Sequence, residues 1–348
     1  MTVERDPAAW ARALGVSREA IDVYLASDVI DLHVDTFIWT RIFGYDLTRR
    51  HGTGLFNACF YGQADLPRLR EARVTGAIWS ITTNPFRGRG SRARTFRRNL
   101  ETLRAVINSR PDDVALVRTA GDYRRAAAAG RHAAFVGIQG GNALDATSLD
   151  GTVVKVTVVH LTNSLLGGTS APLGRDRGLS AAGIDYVRAL NERRIFVDLA
   201  HVSRRGFWDA VKAHDRSQPL LVSHTGIDGV HRHWRNVDDE QIKAVADTGG
   251  VIGVIYEPTF LGDPRFSGKA ESVVRHLEHA ARVAGDDFIA LGSDWDGMIC
   301  TPRDMKTCLE LPRLVEIMLR RGWTAERIRK ALGANFLRAL ELLRGKDA

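Results

Sequence analysis

The residues of this chain best suited to chemistry are histidines and aspartates that follow short apolar runs. His33 and Asp35 stand two residues apart at the end of one run, and Asp294 and Asp296 repeat that spacing. Alternate residues of a strand point to the same face, so each pair can reach a common ion or substrate. Other apolar runs end in further polar residues, namely Gln139, His160, Asp198, His201, Ser223 and His224. Imidazole and carboxylate groups are the ligands that zinc prefers.

The elements that must position these residues are eight runs rich in valine and isoleucine. The runs predict strands at 29–36, 75–82, 132–139, 154–162, 195–201, 219–224, 251–257 and 288–296. Segments with helical periodicity lie at 97–108, 181–194, 203–214, 238–248, 271–284, 311–321 and 324–343. Apolar strands separated by helices are typical of a parallel sheet covered on both faces. Eight of them favour an α/β fold of the (β/α)8 TIM-barrel type over an open doubly wound sheet.

The chain is expected to form a single domain over residues 1–348, since no internal repeat or low-complexity linker interrupts it. Residues 1–25 are expected to be an N-terminal helical extension, and two further helices to end the chain. Barrel enzymes carry their reactive groups at the C-terminal ends of the strands, where the polar residues occur here. A shared metal site is favoured, because burying so many polar groups without an ion would be costly.

The formal net charge of +8 raises the question of a nucleic-acid partner. The excess is mostly arginine, and its densest cluster, RGRGSRARTFRR at 87–98, runs into a helical pattern. We favour a solvated loop there, with a loop that attracts acidic ligands second and RNA binding a distant third. No nucleic-acid partner is therefore expected.

Cysteine usage and hydropathy bear on the compartment. Cys59, Cys300 and Cys308 show no CxxC spacing, so reduced thiols in a cytoplasmic protein are expected. The first 15 residues contain no apolar segment of the kind found in secretory signals. No apolar run approaches the ~18–20 residues of a membrane span, so no membrane association is expected.

Taken together, these motifs resemble the renal (membrane) dipeptidase family, a branch of the metal-dependent amidohydrolase superfamily. The resemblance extends from about residue 28 to about residue 343. It rests on DLHVDT (31–36), VGIQGG (136–141), VVHLTNS (158–164), DLAHVS (198–203), VSHTG (222–226), RNVDDEQI (235–242), GSDWDG (292–297) and the final RRGWTAERIRKALGANFLRAL. So many motifs in one order are far more specific than any single motif.

The resemblance implies two zinc ions in the mouth of a barrel. His33 and Asp35 correspond to ligands of the first ion, and His201 and His224 to ligands of the second. Another divalent transition metal in place of zinc stays open. The family's tendency to pair implies a possible homodimer.

The resemblance also implies roles in binding and catalysis. His160 corresponds to a residue that holds the substrate carbonyl or the developing oxyanion. Arg235 corresponds to one that grips the substrate carboxylate, a task suited to a guanidinium. Asp294 corresponds to the acid/base that handles the proton of the attacking water, and Asp296 is expected to be structural.

One metal-facing position departs from the family. Where the family has a glutamate that bridges both ions, this sequence has Gln139. An amide is neutral, so it does not screen the repulsion between two dications about 3.5–4 Å apart. Three outcomes stay open: two ions bound with lower affinity for at least one, a single ion held by either His33 and Asp35 or His201 and His224, or a pocket kept for binding or for a different reaction after loss of hydrolysis.

The leading interpretation is a metal-dependent, dipeptidase-like hydrolase acting on a small dipeptide or amide with a free carboxylate. The alternatives are a catalytically silent binding protein and a hydrolase of lactones, N-acyl amino acids or phosphoesters. The segment 167–180 looks shorter than its counterpart in the mammalian enzymes. With the arginine-rich segment, it predicts an altered specificity.

Overall fold

The computed structural model describes residues 6–54, 56–82, 89–143, 149–174 and 176–345. Its strands are β1 Ile30–Val34, β2 Gly76–Thr82, β3 Val114–Leu116, β4 His132–Gln139, β5 Val153–Thr157, β6 Phe196–Asp198, β7 Leu221–Thr225, β8 Val251–Val254 and β9 Ile289–Leu291. Neighbours pair in parallel in the order β2-β1-β9-β8-β7-β6-β5-β4, and pairing of β2 with β4 closes the barrel. The short β3 pairs with the first residues of β4. The predicted barrel of eight parallel strands is confirmed.

Helices surround this barrel. They are α1 Pro7–Leu14, α2 Arg18–Leu25, α3 Phe37–Phe43, α4 Leu66–Glu71, α5 Arg89–Asn108, α6 Ala120–Ala128, α7 Ala181–Glu192, α8 Arg204–Ala213, α9 Asp239–Ala246, α10 Glu271–Ala284, α11 Pro312–Arg320, α12 Ala325–Arg329 and α13 Asn335–Arg344. A π-helical turn, Lys330–Ala334, joins α12 to α13. The predicted N-terminal and C-terminal helices are both present.

Helix α5 corrects the expectation of a solvated loop at 87–98. Residues 89–98 belong to this helix, which begins eight residues before the predicted start, and residues 87 and 88 lie outside the described residues. Arg92, Phe96, Leu100 and Leu103 are buried at intervals of three or four. That spacing places them on one helical face, so the apolar stripe continues through the arginine-rich segment.

Several strands are shorter than predicted at their C-terminal ends. The runs 154–162, 195–201 and 288–296 leave the sheet after residues 157, 198 and 291. His201 and Asp294 have φ values of 64° and 61°, in the left-handed region that cannot continue a strand. Backbone of this kind is often found at functional sites, and here it lies just beyond the strand ends.

The opposite end of the barrel is closed by apolar packing. Phe336 of α13 contacts Phe135 of β4, with ring centroids 5.3 Å apart, and Phe196 of β6, with centroids 5.9 Å apart. All three rings are fully buried. The barrel is therefore apolar near the beginnings of its strands and polar near their ends.

The cysteines correct a second expectation. Cys59 and Cys300 form a disulfide across a sequence separation of 241 residues, while Cys308 is free and buried. An isolated antiparallel bridge pairs these residues, because the segment after α3 folds back on the segment after β9. Reduced thiols were therefore the wrong expectation for this pair. None of the described helices is long and apolar enough to cross a membrane.

Candidate active site

The polar strand ends surround a cavity of about 460 Å³ at the mouth of the barrel. His33 and His224 are completely buried at this end of the barrel. The residues predicted from the sequence that line the cavity are Asp35, Gln139, His160, His201, Arg235 and Asp294. Folding thus brings the whole predicted set to one place.

Three imidazoles and one amide form the centre of the cluster. His201 Nε2 and His224 Nε2 are 2.9 Å apart. The Gln139 amide contacts both rings at their nitrogens, with Nε2 3.1 Å from His201 Nε2 and 3.5 Å from His224 Nε2. The ring of His33 lies against that of His224, with centroids 3.9 Å apart. Gln139 therefore contacts both histidines of one predicted ligand pair.

Two carboxyl groups complete the cluster on the side of His33. His33 Nε2 is 3.5 Å from Asp35 Oδ2 and 3.7 Å from Asp294 Oδ1. One ligand atom each from His33, His224 and Asp294 lies within 4.8 Å of the others. Such a set of nitrogen and oxygen donors is typical of a divalent transition metal.

The protonation of the histidines fits a metal site. Burial lowers the pKa of His160 to about 3, and it holds the pKa values of His201 and His224 well below their ordinary range. These imidazoles are therefore neutral at neutral pH, which is the form that binds metal. The donors present fit a bound divalent ion.

Asp35 and Asp294 differ in protonation. Burial and the nearby Asp35 raise the pKa of Asp294 well above its ordinary value. The pKa of Asp35 is lowered, because interactions with His33 and a hydrogen bond from Thr82 outweigh the effect of its burial. Two neighbouring carboxyl groups whose pKa values are shifted in opposite directions suit one proton donor and one group that stays an anion.

Arg235 and His160 supply polar groups to the same cavity. Arg235 is buried and donates from Nη2 to the backbone oxygen of His224 over 2.7 Å, while its Nε has no hydrogen-bond partner among the described residues. Burial lowers the pKa of Arg235 to about 10, so the guanidinium stays charged at neutral pH. His160 Nδ1 likewise has no hydrogen-bond partner in the described part of the chain. Both residues line the cavity, and each keeps one buried nitrogen without a hydrogen-bond partner among the described residues.

Residues behind the cluster were missed from the sequence. Lys155 of β5 is completely buried and lies 2.8 Å from both His33 Nδ1 and Asp198 Oδ2. Although burial opposes ionisation, Lys155 and hydrogen bonds from Ser223 and Thr157 hold the pKa of Asp198 below its ordinary value. The available signal was a single lysine within the apolar run VVKVTVVH.

Asp296 faces away from the histidines. Its carboxylate accepts hydrogen bonds from Thr36 Oγ1 over 2.5 Å and from the backbone nitrogen of Gln63 over 2.8 Å. Its backbone oxygen accepts from Trp39 Nε1 over 2.6 Å. These contacts tie the segment after β9 to the loop after β1, which is a structural task.

The outer rim of the cavity is largely apolar. Ile42, Leu161 and Met298 line it and are 56%, 46% and 63% exposed, and Trp234 and Phe260 complete it. The lining includes none of residues 90–98 and none of the described residues of 167–180. The predicted effect of those two segments on specificity stays a prediction.

Comparison with known proteins decides the family. The profile described as membrane dipeptidase (peptidase family M19) matches residues 17–344. The chain belongs to this family. The resemblance predicted from the motifs is thereby confirmed over nearly the whole chain.

A curated relative and two solved structures extend this comparison. An uncharacterised protein in the pqqA 5′ region of Klebsiella pneumoniae is 35% identical over 170 residues, or 47% of this chain. This match spans 60% of that protein's length. The probable dipeptidase PvdM from Pseudomonas aeruginosa has a TM-score of 0.81 at 18% identity, over 96% of this chain and 98% of that one. A metallopeptidase from Rhodobacter sphaeroides, liganded with a phosphinate mimic of L-Ala-D-Ala, has a TM-score of 0.77 at 22% identity. The match covers 91% of this chain and 99% of that one. This chain therefore has the same fold as these two structures.

Proposed function

We propose that this protein is a metal-dependent hydrolase that cleaves the amide bond of a small dipeptide-like substrate with a free carboxylate. The observation that carries the proposal is the convergence of an acidic proton donor, neutral imidazoles and a guanidinium on one cavity. The raised pKa of Asp294 favours its protonated form, and Arg235 keeps a buried positive charge beside it. Zinc is the preferred ion, because the donors are imidazole nitrogens and carboxylate oxygens.

Each residue has a task that follows from its surroundings. When bound, a divalent ion activates water and polarises a carbonyl group. The Arg235 guanidinium binds the substrate carboxylate and fixes the substrate's direction. His160, neutral and lining the cavity, donates a hydrogen bond to the carbonyl oxygen as negative charge develops there. Asp294, which its raised pKa holds in the protonated form, delivers that proton to the departing amine, and the carboxylate that results accepts the proton that the attacking water loses.

The rim supports apolar substrate side chains. Ile42, Leu161, Trp234 and Met298 offer apolar surface above the polar floor of the cavity. A volume of about 460 Å³ is in the range of small-molecule sites. The Rhodobacter sphaeroides structure with its L-Ala-D-Ala mimic supports testing a D-residue at the carboxyl end.

A substrate panel tests this proposal. Protein loaded with Zn²⁺, Mn²⁺ or Co²⁺ is incubated with L,L- and L,D-dipeptides bearing apolar side chains, N-acyl amino acids and lactones. Dipeptide amides, which lack the free carboxylate, are the matched control. We expect dipeptides to be cleaved and their amides to be cleaved much more slowly. If the metal-loaded protein cleaves only lactones, or cleaves amides and free dipeptides equally, the proposed substrate class is wrong.

Gln139 favours a second candidate, a pocket that binds dipeptides without hydrolysing them. Calorimetry separates the two, because such a protein binds the panel dipeptides but releases no product. Gln139→Glu then shows whether a carboxylate at this position restores turnover. If the native protein is inactive and Gln139→Glu cleaves dipeptides, the binding function is supported. If the native protein itself cleaves dipeptides, the binding function is excluded.

The cytoplasmic location and the possible homodimer stay predictions. The Cys59–Cys300 disulfide argues against the cytoplasm, because disulfides persist mainly in oxidising compartments. Homodimer formation rests on the family resemblance.

A further inference from the structure

A second cavity lies beside the cavity of the candidate active site. Its volume is about 340 Å³, and its lining is partly polar, with Arg204, Asp228 and Arg232 among the residues. The residues that line both cavities are His201, Trp234 and Arg235. A residue that lines two neighbouring cavities lies between them, so these three residues form a partition. The second cavity is therefore separated from the active site by the width of a few side chains.

Trp234 contributes the bulk of an indole ring to this partition, whereas His201 and Arg235 contribute polar groups. Its ring packs against His233, with centroids 5.0 Å apart, and against Phe260, with centroids 5.8 Å apart. His233 and Phe260 are themselves stacked, with centroids 4.6 Å apart. Aromatic rings attract one another at such distances. The indole is thus held in place by two neighbouring rings, although Trp234 is 39% exposed.

The partition lies where the carboxyl end of the proposed substrate would be. Arg235 binds the carboxylate of a dipeptide in the proposed function, so the last residue of that dipeptide ends beside Trp234. A third residue added at this end would have to continue past the indole into the second cavity. The volume of about 340 Å³ lies within the range of small-molecule sites, so that cavity has room for an added residue.

We propose that Trp234 is a specificity-determining residue, which closes the substrate cavity beside Arg235 and excludes peptides extended at the carboxyl end. The inference rests on the proposed function and adds to it the residue that limits the length of the substrate. Removal of the indole is expected to join the two cavities, because Trp234 lines both of them. Peptides with one more residue at the carboxyl end then become substrates.

Two pairs of peptides test the inference. Metal-loaded wild type, Trp234→Ala, Trp234→Leu and Trp234→Phe are incubated with L-Leu-L-Ala and L-Leu-D-Ala, each alone and extended by a carboxyl-terminal glycine. The release of leucine is measured, and the readout is the ratio of kcat/KM for the extended peptide to kcat/KM for the dipeptide. A general loosening of the structure lowers both values together and leaves this ratio unchanged.

We expect a low ratio in the wild type and a rise of at least about tenfold in Trp234→Ala and Trp234→Leu. Trp234→Phe keeps an aromatic ring in the partition, so its ratio should stay near that of the wild type. Phe266→Ala is the matched control, because Phe266 is 77% exposed and lines neither cavity. This substitution should leave the ratio unchanged.

A wild type that cleaves the extended peptides as efficiently as the dipeptides would overturn the inference. An unchanged ratio in Trp234→Ala would do the same, and Trp234→Leu, which keeps a smaller apolar side chain, decides if the alanine variant does not fold. Cleavage of dipeptides together with an unchanged ratio refutes this inference alone. If the wild type cleaves neither dipeptide nor extended peptide, the proposed function fails as well.

Discussion

Asp35 and Asp294 both lie near His33 Nε2, yet their pKa values are shifted in opposite directions. Asp35 receives a hydrogen bond from Thr82, whereas Asp294 is buried beside the negative charge of Asp35. The same type of residue is therefore held once as an anion and once in its protonated form. This division of tasks follows from the immediate surroundings of each carboxyl group.

Asp294→Asn tests whether the protonated Asp294 is the proton donor. We expect kcat for dipeptide hydrolysis to fall by ~10²–10⁴-fold, because an amide cannot shuttle the proton. The metal content is measured in the same samples, because Asp294 also belongs to the group of possible metal donors with His33 and His224. Asp185→Asn, an exposed carboxylate of α7, is the matched control and should leave kcat unchanged. Loss of the ion together with the activity would instead make Asp294 a ligand.

The regular strands end just before the residues of the candidate site, and the irregular backbone that follows positions the side chains. β6 and β9 end before His201 and Asp294, whose left-handed backbone turns the chain just past the sheet. Below that level the strands are held by apolar contacts with α13. Stability and reactivity thus depend on opposite ends of the same strands.

Phe336→Ala tests the packing of α13 against the barrel. Removing this fully buried ring should lower the free energy of unfolding by ~3–5 kcal/mol, because a cavity is left between β4 and β6. Leu342→Ala, on the same helix but 48% exposed, should change it by less than ~0.5 kcal/mol. Denaturant midpoints measure both variants. Equal effects of the two substitutions would show that α13 does not close the barrel.

His132, the first residue of β4, gives the barrel a pH dependence. Burial lowers its pKa from 6.5 to about 4, and its ring bonds Trp79 Nε1 over 3.1 Å and the Val74 oxygen over 2.9 Å. Above pH 6.5 the ring is neutral in both the folded and unfolded states. As the pH falls from 6.5 to about 4, the unfolded state binds the proton first, so stability decreases by at most about 3 kcal/mol.

His132→Gln should remove this part of the pH dependence. The free energy of unfolding, measured from denaturant titrations between pH 7 and pH 4, is expected to fall less steeply in the variant. His276, whose pKa burial also lowers to about 4, accounts for part of the remaining slope. Identical slopes in wild type and variant would show that His132 does not contribute.

At the scale of the whole molecule, the sequence predicted the barrel and the members of its polar cluster. Both follow from local patterns, since apolar runs mark strands and polar residues such as His33 and His201 mark their ends. Lys155 was not predicted, because its importance depends on Asp198 and His33, which other strands bring to it. The Cys59–Cys300 contact was missed for the same reason, since no spacing rule links residues 241 apart.

Thiol counting tests that long-range contact. Protein unfolded without reductant should show one reactive thiol, from Cys308, and three after reduction. Reduction should also lower the free energy of unfolding by roughly 2–4 kcal/mol, because the disulfide constrains the unfolded chain. Three reactive thiols before reduction would restore the original expectation of free cysteines.

Metal-dependent turnover is the measurement that tests the account most directly. The protein is stripped with a chelator, reloaded with Zn²⁺ and assayed with a dipeptide bearing apolar side chains. We predict no hydrolysis by the stripped protein and recovery of hydrolysis as zinc is added back. Zinc-loaded protein that binds the panel dipeptides and leaves all of them intact would contradict the proposed function.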